Sequence, residues 1–129
     1  MALVKDELQK KLFINGEWRT ASHYQTLKAP FDHCILAEIP QATTEETKEA
    51  IDAAHRAIPE MKKLSRHSRS NILSNLVCLL QNRKDEAAHL IALEAAKPLK
   101  MAEAEVERTI QTYQFAAEEA KRLQGEIIR

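Results

Sequence analysis

Apolar residues change their spacing partway along this chain. Up to about residue 42 they fall in short runs, and beyond it they recur every three or four positions. The first pattern predicts strands and the second predicts helices. Lys11 to Ile14 and Glu17 to Thr20 flank Asn15-Gly16, a pair whose tolerance of positive φ makes it the strongest short hairpin signal. Thr26 to Ala29 and Cys34 to Ile39 read as two more short strands around the Pro30–His33 turn, with Pro40 closing the β portion. Residues 1–10 are polar and read as a loose or short helical arm.

Thr43 and Glu46 then form a capping box, in which each side chain satisfies an amide of the other residue. Behind it Ala50, Ile51, Ala54, Ala57, Ile58 and Met61 repeat at helical spacing, and Pro59 is expected to kink or finish that helix. A second helix over about Ser68 to Gln81 is expected to bury Ile72, Leu73, Leu76, Leu79 and Leu80. A third, from about Lys84 to Ala96, is expected to bury Ala88, Ile91 and Leu93 and to end before Pro98. The fourth, Leu99 to Gln124, carries Ala102, Val106, Ile110, Tyr113, Ala117 and Ala120 on one stripe, with Gly125 suited to the left-handed residue after its end.

The organisation this predicts is an arm (1–10), short strands with an Asn-Gly hairpin (11–42), a helical part (43–124), and a strand beginning at 125–129 that leads into a remainder. The strands are too few and short to cover every helix, so an apolar helix face is expected to lack its partner.

Composition narrows the function. Nineteen basic residues balance nineteen acidic ones. That argues against nucleic acid or an anionic membrane as partner, since both select a basic face. Only Gly16 and Gly125 are glycines, too few for a phosphate-cradling loop. The longest apolar run, Ile72 to Leu80, is interrupted by Ser74 and Asn75 and is far short of a membrane span. Two cysteines make no disulfide framework, which points to a reducing cytoplasm.

Candidate chemistry is sparse. Cys78 lies among Leu76, Val77, Leu79 and Leu80 and reads as a core residue. Cys34 follows His33, but neighbours on a strand point to opposite faces, so the two do not form a catalytic pair. No histidines or cysteines stand at metal-ligand spacing, and no metal site is assigned. Lys62, Lys63, Arg66 and Arg69 around His67 read as a solvated helix junction. Lys97 is a candidate cofactor or substrate cation, but a lysine at a helix C-terminus also suits the dipole there. Arg108, in Glu105-Val106-Glu107-Arg108, reads by helix geometry as a surface residue paired with Glu105, an interaction of about 0.2–0.5 kcal/mol.

Several segments taken together resemble the N-terminal portion of the NAD(P)-dependent aldehyde dehydrogenases. They are Phe13-Ile14-Asn15-Gly16-Glu17-Trp18, Ala29-Pro30-Phe31-Asp32, Ile39-Pro40 before the capped helix, Glu94 to Leu99, and Gly125-Glu126-Ile127-Ile128. The resemblance implies an α/β fold, the opening part of a Rossmann-like cofactor domain, with short strands and a hairpin followed by about four helices. It implies a whole enzyme, a homodimer or homotetramer, that oxidises an aldehyde, such as a semialdehyde or phospho-aldehyde, to its acid with NAD or NADP. In that chemistry a thiolate attacks the aldehyde, hydride passes to nicotinamide, and water releases the acid. The family's catalytic cysteine, general-base glutamate, oxyanion-stabilising asparagine and cofactor turn all lie later in its sequence. No catalytic, cofactor-binding or metal residue is therefore placed here, and the segment alone is expected to be inactive and to bind no cofactor. Under the resemblance Arg108 becomes a substrate-anion contact, because members acting on aldehydes with a distant anion carry arginine in a similar setting. The alternative is a stand-alone helical interaction module derived from such an enzyme.

Overall fold

The computed structural model describes residues 8–122. Two antiparallel ribbons come first. Strands β1 (Leu12–Ile14) and β2 (Glu17–Arg19) pair with Phe13 opposite Trp18. Their turn has φ of 53° at Asn15 and 83° at Gly16, as the Asn-Gly signal requires. Strands β3 (His23–Lys28) and β4 (Ile35–Gln41) form the second ribbon. The turn between them closes through His33 N–H donating to the Ala29 carbonyl at 2.9 Å. β4 runs through Pro40, against the expectation that proline would close it. β3 is its one partner strand, the other edge carries only a single bridge at Glu38, and proline is tolerated at such an edge. Gln9 bridges to Glu38.

Four helices follow: α1 (Thr44–Lys63), α2 (Arg66–Asn82), α3 (Lys84–Ala95) and α4 (Leu99–Arg122). The capping box forms, with Thr43 N–H donating to Glu46 Oε2 at 2.8 Å and Glu46 N–H donating to Thr43 Oγ1 at 3.1 Å. Pro59 does not end α1, which continues to Lys63. Proline removes a single N–H, and here the loss falls near the last turn. Ser65 caps α2 by accepting from Ser68 N–H at 3.0 Å.

The chain divides into two compact units, Met1–Lys62 and Lys63–Arg129. In the first, the Arg19 guanidinium joins the hairpin to α1 by donating to both oxygens of Glu49 at 2.9 Å. In the second, α4 packs along α2 and α3. Its core is Val77, Ala88, Ala102, Val106 and Ile110, and the predicted α4 stripe is buried apart from the half-buried Tyr113.

The faces of α2 and α3 depart from expectation. Ile72 and Leu79 are 55% and 59% exposed, Leu93 is exposed, and Ser70 and Val77 are buried instead. Ser70, Leu73, Val77 and Leu80 form the inward stripe, and Ile72 and Leu79 lie off it. Small residues let the α2 and α4 backbones approach, so side-chain size rather than hydrophobicity selects the contact face. Gly125 and the strand expected at 126–129 lie outside the described residues. No helix among those described is long and apolar enough to cross a membrane.

Candidate functional site

The long helix α4 sets the geometry of the one charged position singled out by sequence. With Ala102, Val106 and Ile110 turned into the core, Arg108 is carried on the outer surface, where it is exposed. The expected partner does not hold it. Glu105 Oε2 instead accepts from Lys97 Nζ, which comes from the turn between α3 and α4. Glu107 Oε2 accepts from Lys84 Nζ at the start of α3, at 2.6 Å. Both acids beside Arg108 are thus taken by lysines from another element, and among the described residues its guanidinium has no hydrogen bond or ion pair.

These pairs leave an electrostatic mark. The Lys97 hydrogen bond holds the Glu105 carboxyl below the usual carboxylate range, with Lys97's charge reinforcing it and Arg108's charge contributing last. Lys84 is raised, chiefly by its hydrogen bond to Glu107. Periodicity missed both pairs because their members lie in different elements, where residue spacing carries no signal. Lys97, which its sequence position marks as a helix-terminal or ligand cation, is the partner of Glu105.

Cys34 is not set up as a nucleophile. Cys34 is exposed, and its thiol is pushed up chiefly by hydrogen bonding to Asp32, the reverse of what activates a thiolate. Asp32 Oδ1 also accepts from the Cys34 backbone N–H at 3.1 Å. Cys78, expected in the core, is exposed, because it lies beside the stripe through Val77 rather than on it. It borders a groove of about 590 Å³ between α2 and α4, together with Ser70 and Phe115. The Ser70 hydroxyl is buried there without a partner among the described residues.

Among the described residues no group of three histidines, cysteines or acids is placed to hold a metal. Among the described residues the one glycine, Gly16, sits in the hairpin turn, so none of them forms a glycine turn of the kind that cradles a pyrophosphate. In the basic cluster, the Arg69 Nε–H turns back to the Leu64 carbonyl at 3.3 Å, serving the helix junction.

Short strands leading into four helices, with an outward cation on the last of them, define an α/β segment. The model of the aldehyde dehydrogenase family matches residues 18–129, and the chain belongs to that family. A lactaldehyde dehydrogenase from Methanococcus aeolicus is 40% identical over 91% of this chain and 25% of its own length. A succinate-semialdehyde dehydrogenase [NADP(+)] from Escherichia coli is 34% identical over 93% of this chain and 25% of its length. The crystal structure of aldehyde dehydrogenase 21 from Physcomitrella patens, in complex with the reaction product succinate, superimposes with a TM-score of 0.89. It is 34% identical and covers 94% of this chain and 25% of that one. The chain therefore spans about a quarter of the length of the relatives it matches, and its short strands followed by four helices are theirs.

Proposed function

We propose that this chain is the N-terminal segment of a cytoplasmic, homo-oligomeric NAD(P)-dependent aldehyde dehydrogenase. The whole enzyme oxidises an aldehyde carrying a distant anionic group to its carboxylic acid, and Arg108 contacts that anion. The observation that carries this reading is the exposed guanidinium of Arg108, which makes no hydrogen bond or ion pair among the described residues although two acids lie within three positions of it. A planar guanidinium can donate two parallel hydrogen bonds to a carboxylate, phosphonate or phosphate. Two of the similar proteins agree in substrate chemistry: one is a semialdehyde dehydrogenase, and one is crystallised with a dicarboxylate product. The segment itself is catalytically inert, since the described residues offer no activated nucleophile and no glycine turn for a dinucleotide. Nucleophile, base and cofactor turn belong to the rest of the enzyme.

The test is Arg108→Leu in the complete enzyme. A hydrogen bond to a charged group is worth about 1.5–3 kcal/mol, so kcat/KM for a semialdehyde should fall about 10- to 100-fold. A neutral aldehyde of the same length should react unchanged. Equal kcat/KM for the semialdehyde before and after substitution would remove Arg108 from the substrate site.

A further inference from the structure

Arg108 can meet an incoming anion only while its guanidinium is free, and its own helix works against that freedom. Side chains three or four residues apart on a helix are neighbours. The four such positions around Arg108 are Ala104, Glu105, Gln111 and Thr112, of which Glu105 alone is acidic. Left to local geometry, Glu105 would neutralise Arg108. Instead the Glu105 carboxylate gives its hydrogen bond and ion pair to the Lys97 ammonium, and Arg108 acts on it only through the smaller effect of its charge.

The backbone delivers Lys97 to that place. Ala96 closes α3 in the left-handed conformation, with φ 48° and ψ 36°. Lys97 N–H donates to the Ala92 carbonyl at 3.2 Å, and the Pro98 carbonyl accepts the first amides of α4. This turn folds Lys97 back over the first turns of α4, where Glu105 lies. Lys97 and Glu105 are each about one third exposed, at 34% and 39%, so the pair is less screened by water than a fully solvated one.

We propose that Lys97 is a positioning residue for anion recognition. By holding Glu105, it keeps Arg108 unpaired and open to an anionic aldehyde. The inference rests on the reading of Arg108 as the anion contact. Lys84 acts in the same sense on Glu107, but Glu107 is adjacent in sequence and faces another direction, so Lys97 carries the larger effect. Without Lys97, Glu105 swings to Arg108 and competes with the substrate anion for its guanidinium.

The experiment uses the complete enzyme with a semialdehyde and a neutral aldehyde of equal length. In Lys97→Met, KM for the semialdehyde should rise about two- to threefold, the factor by which a helical pair of this spacing sequesters a guanidinium. The kcat, and both constants for the neutral aldehyde, should stay unchanged. Lys97→Arg, which keeps a cation, should behave as the unsubstituted protein. The double substitution Lys97→Met with Glu105→Gln should restore the semialdehyde KM, because glutamine cannot neutralise Arg108. Arg108→Leu run alongside separates the two ideas. If it leaves the semialdehyde KM unchanged, the anion contact itself is wrong. If it raises that KM while Lys97→Met does not, or if Glu105→Gln fails to rescue Lys97→Met, the positioning role is overturned.

Discussion

Ala96 stands against its own backbone preference. Among the described residues, three other than glycine have positive φ: Asn15, His33 and Ala96. Asparagine and histidine are enriched in that region, whereas alanine pays about 1–2 kcal/mol for the contact between its Cβ and a carbonyl oxygen. The turn into Lys97 and Pro98 requires the conformation, so the cost is carried by the packing of α3 and α4 on either side. Ala96→Gly should relieve it. Against that relief stands about 0.5–1 kcal/mol of added freedom in the unfolded chain. The net expectation is a gain of about 0.5–1 kcal/mol, seen as a higher urea midpoint with an unchanged slope. A lower midpoint would mean that the alanine methyl makes a packing contact worth more than the strain. In the sequence this position was silent. Pro98 announces a helix end nearby, but nothing in Ala95-Ala96-Lys97 tells which residue turns left-handed, and the pairing of Lys97 with Glu105 follows from that choice.

Elements were legible where local chemistry alone determines them. The Asn15-Gly16 hairpin and the Thr43–Glu46 cap depend on residues close in sequence, and both form as read. The buried stripe of α4 was also legible, because its partners accept a continuous row of alanines and short aliphatic residues. The facing stripes of α2 and α3 were not. Counting large apolar residues selected Ile72, Leu79 and Leu93, while close backbone approach placed Ser70, Val77 and Ala88 inside. Arg108 was legible as a position, but the Lys97–Glu105 and Lys84–Glu107 pairs beside it were not, since both lysines reach across from other elements.

Helix α1 shows how much a cap matters when packing is thin. Of its apolar positions only Ala53 is buried, and Ile51, Ile58 and Met61 are exposed. With only the small residues Ala50 and Ala53 covered, this helix leans on its N-terminal hydrogen bonds and on the Arg19–Glu49 clamp. Thr43→Ala should cost about 1 kcal/mol and fray the first turns, read as a loss of far-ultraviolet circular dichroism and a lower urea midpoint. Glu46→Gln should cost much less, because glutamine also reaches back to the cap amide. Equal losses from the two substitutions would show that the Glu46 charge, rather than the box, supports the helix start.

At the scale of the whole chain, burial is paid in small residues. Seven of the eleven buried hydrophobic residues among those described are alanines, at positions 29, 37, 53, 88, 102, 117 and 120. Each contributes little more than a methyl group, about 0.8 kcal/mol per buried carbon. Many of the larger side chains, which would contribute about 1.5–3 kcal/mol each when buried, remain exposed. Ile72 and Leu79, seven residues apart, lie on the same side of α2, and Phe115 on α4 is 68% exposed beside the groove. An apolar surface left open in this way drives association with whatever apolar surface is available. The 129-residue chain by itself should therefore form concentration-dependent oligomers on size exclusion, melt over a broad range and bind a hydrophobic dye. Replacing Ile72 and Leu79 together by glutamate should reduce dye binding and self-association while leaving helix content intact, because neither side chain is in the core. A sharp two-state melt of a monomer that binds no dye would instead mean that the helices satisfy one another. That result would favour the self-sufficient interaction module over a scaffold completed by the remaining three-quarters of a dehydrogenase.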